Sequence, residues 1–203
     1  MRLPRIYPLT DVQLSGLGHA AQVELLSRGG ATLIQLREKL MPAREFYEQA
    51  KIALRPGVQL IINDRVDLAL AVGAHGVHLG QDDMPPEAAR KLLGPNAVVG
   101  YSTHNVDQAL AATKLPIDYL ATGPIFATST KTDTAPVLGL DGLRAVRHVI
   151  GSFPLVAIGG ITHANARQVI EAGADSVAVI SALLADPTHI TEATHSLLQD
   201  LQD

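Results

Sequence analysis

Eight short apolar runs rich in β-branched residues alternate with Ala-rich stretches of helical spacing along the whole chain. That rhythm constrains the fold more than any single motif. The predicted strands are Ile6–Thr10, Thr32–Arg37, Gln59–Asn63, Gly76–Leu79, Ala97–Gly100, Tyr119–Thr122, Leu155–Ile158 and Ser176–Ile180. Between them, Phe46, Ala50, Ala53 and Leu54 share one helical face, as do Leu140, Leu143, Val146 and Ile150. A single helix between consecutive strands carries the chain back across the sheet, so neighbouring strands run parallel.

An internal echo supports regular units. Gly30-Ala31-Thr32-Leu33-Ile34-Gln35-Leu36 resembles Gly73-Ala74-His75-Gly76-Val77-His78-Leu79, and both resemble Gly173-Ala174-Asp175-Ser176-Val177-Ala178-Val179. In each, the glycine is expected to end a helix in the left-handed conformation, the alanine to turn, and a strand to follow. Gly73 and Gly173 stand 100 residues apart, which matches four βα units of roughly 25 residues. A doubly wound open sheet also repeats βα units, but eight even ones fit a closed (β/α)8 TIM barrel better. With 203 residues the chain sits near the short end for that fold, and residues 1–203 are expected to form a single domain.

Composition removes several function classes. The absence of Cys excludes a disulfide scaffold, a Cys-based zinc site, an iron–sulfur cluster and a thiol nucleophile. Sixteen basic residues against 20 acidic ones give a net charge of −4, which does not suit a nucleic-acid partner. No apolar run approaches the roughly 20 residues needed to span a bilayer, and with no long apolar stretch after Met1-Arg2-Leu3-Pro4-Arg5 a signal peptide is not expected. A cytoplasmic protein without a membrane partner is therefore expected. Homo-oligomerisation is left open.

In such a barrel the reactive groups gather at the C-terminal ends of the strands. Gln35-Leu36-Arg37-Glu38-Lys39 follows the second strand, and a period of two sends Gln35 and Arg37 toward the axis, with Lys39 beyond them. Two cations and an amide at one mouth suit a phosphorylated anion, against the alternative of a solvated charged turn. Asn63-Asp64-Arg65 follows the third strand and Gly80-Gln81-Asp82-Asp83 the fourth. Carboxylates from adjacent strand ends can share a hard cation such as Mg2+, while each also has a reading as a helix cap.

The stretch from Gly123 to Pro136 shows neither helical nor strand period, and Thr128, Ser129, Thr130 and Lys131 within it again suit an anion. The opposing reading is a solvated surface loop. Gly159-Gly160 and Ile180-Ser181 end the last two strands, where barrels of this type often bind phosphate. Two anion sites on one rim suggest two phosphorylated small molecules meeting there. His78 reads as a satisfied core or rim residue, and His104 as a residue that orients its loop or acts as an acid or base.

Taken in order, Gln35-Leu36-Arg37-Glu38-Lys39, Ile62-Asn63-Asp64-Arg65, Gly76 to Asp83, Gly123-Pro124-Ile125-Phe126 with Thr128 to Lys131, and Ile158-Gly159-Gly160-Ile161 resemble the thiamine-phosphate synthase family. The resemblance covers most of the chain. It implies a (β/α)8 transferase that joins 4-amino-2-methyl-5-hydroxymethylpyrimidine diphosphate to a phosphorylated hydroxyethylthiazole, with Mg2+ as cofactor. By that resemblance Gln35, Leu36, Arg37, Glu38, Lys39, Asn63, Ser102 and Lys131 would contact the pyrimidine diphosphate. Thr128, Ser129, Thr130, Gly160, Ile180 and Ser181 would hold the thiazole phosphate. Asp64 and Asp83 would ligate the metal, and Arg37, Lys39 and Lys131 would serve the chemistry. Two other readings stay in view: a thiazole tautomerase-like isomerase acting through His104, and a non-catalytic thiazole-phosphate binder. Ala127, where Pro is common in the family, and His75 depart from the pattern without touching a proposed ligand group.

Overall fold

The computed structural model describes residues 1–128 and 136–202. Its strands are β1 (Ile6–Pro8), β2 (Leu33–Leu36), β3 (Gln59–Asn63), β4 (Gly76–Leu79), β5 (Val98–Thr103), β6 (Tyr119–Thr122), β7 (Leu155–Ile158) and β8 (Ser176–Val179). All are parallel, in the order β1-β8-β7-β6-β5-β4-β3-β2. A bridge between Leu9 and Gln35, with the Thr10 N–H donating to the Gln35 carbonyl at 2.9 Å, closes the ring. The expected (β/α)8 TIM barrel is the observed fold.

The helices are α1 (Val12–Ser15), α2 (His19–Arg28), α3 (Ala43–Ala53), α4 (Val66–Val72), α5 (Pro86–Leu93), α6 (Val106–Ala112), α7 (Gly139–Ile150), α8 (His163–Glu171), α9 (Ser181–Leu184) and α10 (Ile190–Asp200). None is long and apolar enough to cross a membrane. Gly73 closes α4 in the left-handed conformation, whereas Gly30 and Gly173 take positive φ one residue past the caps of α2 and α8. The repeated Gly-Ala turn is real, with its glycine shifted by one position in two copies.

Strand alternation splits the core in two. Ile34, Leu36, Leu60, Ile62, Val77, Val99 and Leu120 face the helices, while Tyr7, Leu33, Ile61, Tyr119, Val156 and Ala178 fill the barrel interior. The Tyr119 ring spans the interior only because residue 100 has no side chain: a Cβ there would sit 2.1 Å from the ring. At the N-terminal end of the barrel, Arg90 of α5 pairs with Asp118 and Arg147 of α7 with Asp175, both at 2.7 Å. Each aspartate also accepts a strand N–H, from Val99 and Leu155 respectively. These clamps pin helix to sheet at two matching positions.

Candidate active site

The inward register of the strands delivers polar groups to one cavity of about 610 Å3 at the C-terminal end. Gln35, Asn63, His78 and Ser102 reach it from four consecutive strands, and Ile158 and Ile180 close the opposite side. Arg37, Lys39, Asp64, Asp83, Thr128, Gly160 and Ser181 line it as well. Leu36 and Glu38 are not brought to the cavity. Leu36 is buried against the helices, as alternation from Gln35 requires. Ser129, Thr130 and Lys131 lie outside the described residues.

The acidic pair converges. Lys39 Nζ makes an ion pair with Asp64 Oδ2. Burial, together with a side-chain contact from Asp64, holds the Asp83 carboxyl above its ordinary range, against the opposing pull of the Gly80 N–H and Lys39. Neither acid caps a helix. The N-cap of α4 is Arg65, that of α5 is Pro85, and neither end has a side-chain cap. Asp83 Oδ2 instead accepts the Gly80 N–H at 2.6 Å. Asp64 has φ 62, the one positive value outside glycine among the described residues. This conformation is uncommon for a side-chain-bearing residue, though Asp tolerates it better than most. Its N–H donates to the His78 carbonyl at 2.8 Å, tying β3 to β4 at the rim.

Glu38 has a different place. Its Oε1 accepts the N–H groups of Lys39, Leu40 and Met41 at 2.7, 2.7 and 3.0 Å. Its Oε2 lies 3.1 Å from Nε2 of His19, which is fully buried. The other ring nitrogen of His19 meets Thr10 Oγ1 at 2.7 Å, and that oxygen also accepts the Arg37 N–H at 3.3 Å. Because an ionised carboxylate only accepts, His19 Nε2 carries a proton, and the neutral ring accepts from Thr10. Burial opposes ionisation of Glu38, but the Leu40 and Met41 N–H groups, His19 and the Lys39 N–H outweigh it and lower its pKa. Burial likewise lowers that of His19, with Glu38 pulling the other way. The loop carrying Arg37 and Lys39 is thus held from behind.

On the facing wall, Gly160 has φ 63, and a Cβ there would lie 2.5 Å from the Ala127 carbonyl oxygen. Only glycine fits. Asn165 Nδ2 holds the Gly160 carbonyl at 3.0 Å. His104 also lines the cavity; its Nδ1 donates to the Gly123 carbonyl at 2.8 Å, which orients the ring. Sequence reasoning missed Tyr7, Leu9 and Gln108 as lining residues. For Tyr7 a signal existed, since it occupies the inward position of Ile6-Tyr7-Pro8.

The donor set fits a hard divalent cation. Two neighbouring carboxylates supply oxygen ligands, and a cation between them would offset both the burial and the nearby Asp64 that raise the Asp83 carboxyl. Among the described residues no cluster of three or more His, Cys, Asp or Glu offers a closed cage. Two carboxylates leave open positions, the arrangement Mg2+ uses when phosphate oxygens complete its shell.

Residues 6–183 match the family model described as thiamine monophosphate synthase. A thiamine-phosphate synthase of Koribacter versatilis is 54% identical over 197 residues, covering 92% of each chain. One of Chloroflexus aurantiacus is 53% identical over 186 residues, 89% of this chain and 85% of its own. The solved thiamine phosphate pyrophosphorylase of Pyrococcus furiosus superposes with a TM-score of 0.87 at 40% identity, over 98% of this chain and 95% of that one. The chain is a transferase and belongs to the thiamine monophosphate synthase family.

Proposed function

We propose that the chain joins 4-amino-2-methyl-5-hydroxymethylpyrimidine diphosphate to a phosphorylated hydroxyethylthiazole, giving thiamine phosphate and diphosphate; from the thiazole's carboxylate, CO2 is released as well and a proton takes its place on the ring carbon. The convergence of Lys39, Asp64 and Asp83 at the ends of three neighbouring strands is the observation that carries this reading. Asp64 and Asp83 would hold Mg2+, which when bound neutralises charge building on the departing diphosphate. Arg37 and Lys39 would add positive charge on the same wall, Gln35, Asn63 and Ser102 would orient the pyrimidine, and Lys131, outside the described residues, would serve the diphosphate as the family resemblance implies. Thr128, Gly160, Ile180 and Ser181, with Ser129 and Thr130, would receive the thiazole phosphate opposite.

The chemistry asks little acid–base work of the protein. The carbon–oxygen bond breaks with its electron pair leaving on diphosphate, and the ring amino group feeds the methylene cation that remains. The thiazole nitrogen lone pair then forms the new bond, and no proton is removed. The cavity's task is to bring both substrates together and keep water from the cation. Mixing both substrates with Mg2+ tests the reading. Stoichiometric thiamine phosphate and diphosphate are expected; substrate binding without product, with or without the metal, contradicts it.

A further inference from the structure

Five side chains from five strands form one hydrogen-bonded chain through the barrel. Gln35 Nε2 donates to the Tyr7 hydroxyl at 3.0 Å, and the Tyr7 and Tyr119 hydroxyls meet at 2.8 Å. Tyr119 meets His78 Nδ1 at 3.0 Å, and His78 Nε2 meets Ser102 Oγ at 2.8 Å. Both phenols are buried, and burial raises both of their pKa values, so each keeps its one proton. Gln35 and Ser102 are the two ends, and both line the cavity.

The direction of the chain follows from its first link. An amide nitrogen only donates, so Tyr7 accepts from Gln35, and the Tyr119 oxygen is the one acceptor among the described residues that its own buried hydrogen reaches. Tyr119 in turn donates to His78 Nδ1. A ring nitrogen that accepts carries no proton, so Nε2 holds the ring proton and donates to Ser102. The Ser102 hydroxyl, already an acceptor, turns its hydrogen to the cavity. At the opposite end, Gln35 Oε1 is buried and has no hydrogen-bond partner in the structure, an acceptor that costs stability until a donor reaches it.

We propose that Tyr7, Tyr119 and His78 are positioning residues that fix the polarity of two pocket walls, making Gln35 an acceptor and Ser102 a donor, and so select an aminopyrimidine over its oxo counterpart. An exocyclic amino group supplies the donor that Gln35 Oε1 lacks, while an oxo group would set two acceptors against each other. Reversing the amide would require every link to reverse, so discrimination resides in the whole relay rather than in Gln35 alone. This inference rests on the reading that the pocket takes an aminopyrimidine diphosphate.

Steady-state kinetics with Mg2+ tests it, using the aminopyrimidine diphosphate and its 4-oxo counterpart on the wild type, Tyr7→Phe, Gln35→Ala, Ser102→Ala and the double variant Tyr7→Phe/Ser102→Ala. Tyr7→Phe is expected to raise KM for the aminopyrimidine about tenfold, the loss of about one well-placed hydrogen bond. It should narrow the amino-over-oxo preference and leave the KM for thiazole phosphate unchanged. Tyr7 and Ser102 are joined only through Tyr119 and His78, so coupling makes the double variant's loss smaller than the product of the single losses. Multiplicative losses, or a Tyr7→Phe enzyme with wild-type KM and preference, overturn the relay while leaving the substrate reading intact. Unchanged aminopyrimidine KM in both Gln35→Ala and Ser102→Ala overturns the two together. Should Tyr7→Phe fail to fold, Tyr119→Phe cuts the middle link with the same ring outline and is judged by the same outcomes.

Discussion

At the N-terminal end of the barrel, Asp118 and Asp175 each receive an arginine and a strand N–H. At the C-terminal end, Asp64 and Asp83 crowd each other, with Lys39 on the first and the Gly80 N–H on the second. The same side-chain chemistry thus serves opposite purposes. Below, the protein itself satisfies each carboxylate, and the result is a helix fixed to a sheet. Above, mutual repulsion is left standing on a backbone held at positive φ. Carboxylates that repel each other gain more from a cation placed between them than carboxylates already held by arginine, and such a cation in turn draws phosphate oxygens.

That contrast can be broken from either end. The largest effect is expected for Asp64→Asn or Asp83→Asn, each lowering kcat by about a hundredfold or more, on the order of 3 kcal/mol in the transition state. Melting temperature should hold, because one of two repelling charges is gone while asparagine tolerates the left-handed backbone at 64 and keeps an acceptor for the Gly80 N–H at 83. Calorimetry beside the two-substrate assay reads both, and a large melting loss in step with activity would contradict the account. Gly160→Ala should come next, raising KM for thiazole phosphate by about tenfold or more, since left-handed strain of roughly 1–2 kcal/mol adds to a clash with the Ala127 carbonyl. The KM for the pyrimidine should move little.

From the other end, Arg147→Ala should cost about 1–3 kcal/mol of stability, because three backbone carbonyls and Asp175 lose their donor. Urea unfolding checks it, with kcat expected to stay at the wild-type value. The smallest effect, about 1 kcal/mol, is expected for Glu38→Gln, which keeps an acceptor for the loop N–H groups but loses the charge. The folded pKa of Glu38 is lowered, so its contribution is present above the ordinary Glu value of about 4.3 and is lost as pH falls through the lower folded value. The wild-type advantage in urea midpoint should therefore shrink on acidification; an advantage that persists unchanged contradicts the brace.

Local pattern reveals some of this and hides the rest. Gln59–Asn63, Gly76–Leu79, Tyr119–Thr122 and Leu155–Ile158 match their predicted bounds, because a buried parallel strand is written as an apolar run between turns. The predicted Ala97–Gly100 strand instead runs Val98–Thr103, since Tyr101, Ser102 and Thr103 are polar to the eye yet pair with Leu120, Ala121 and Thr122. Gln35 and Arg37 could be placed at the rim from period two, and Asn63, Asp64 and Asp83 from their position at the ends of strands. Glu38 could not, because its direction is decided by His19 on another element. Nor could the bond between Tyr7 and Tyr119, which closes over 112 residues of chain and depends on the missing side chain at Gly100.

The most direct test is a crystal structure grown with Mn2+ in place of Mg2+ and with diphosphate, read by the anomalous signal of the metal. One ion is expected at the rim, with carboxylate oxygens of both Asp64 and Asp83 and oxygens of diphosphate in its coordination shell. An ion held elsewhere, or diphosphate bound at the rim with the two aspartates left on each other and no metal between them, would contradict it.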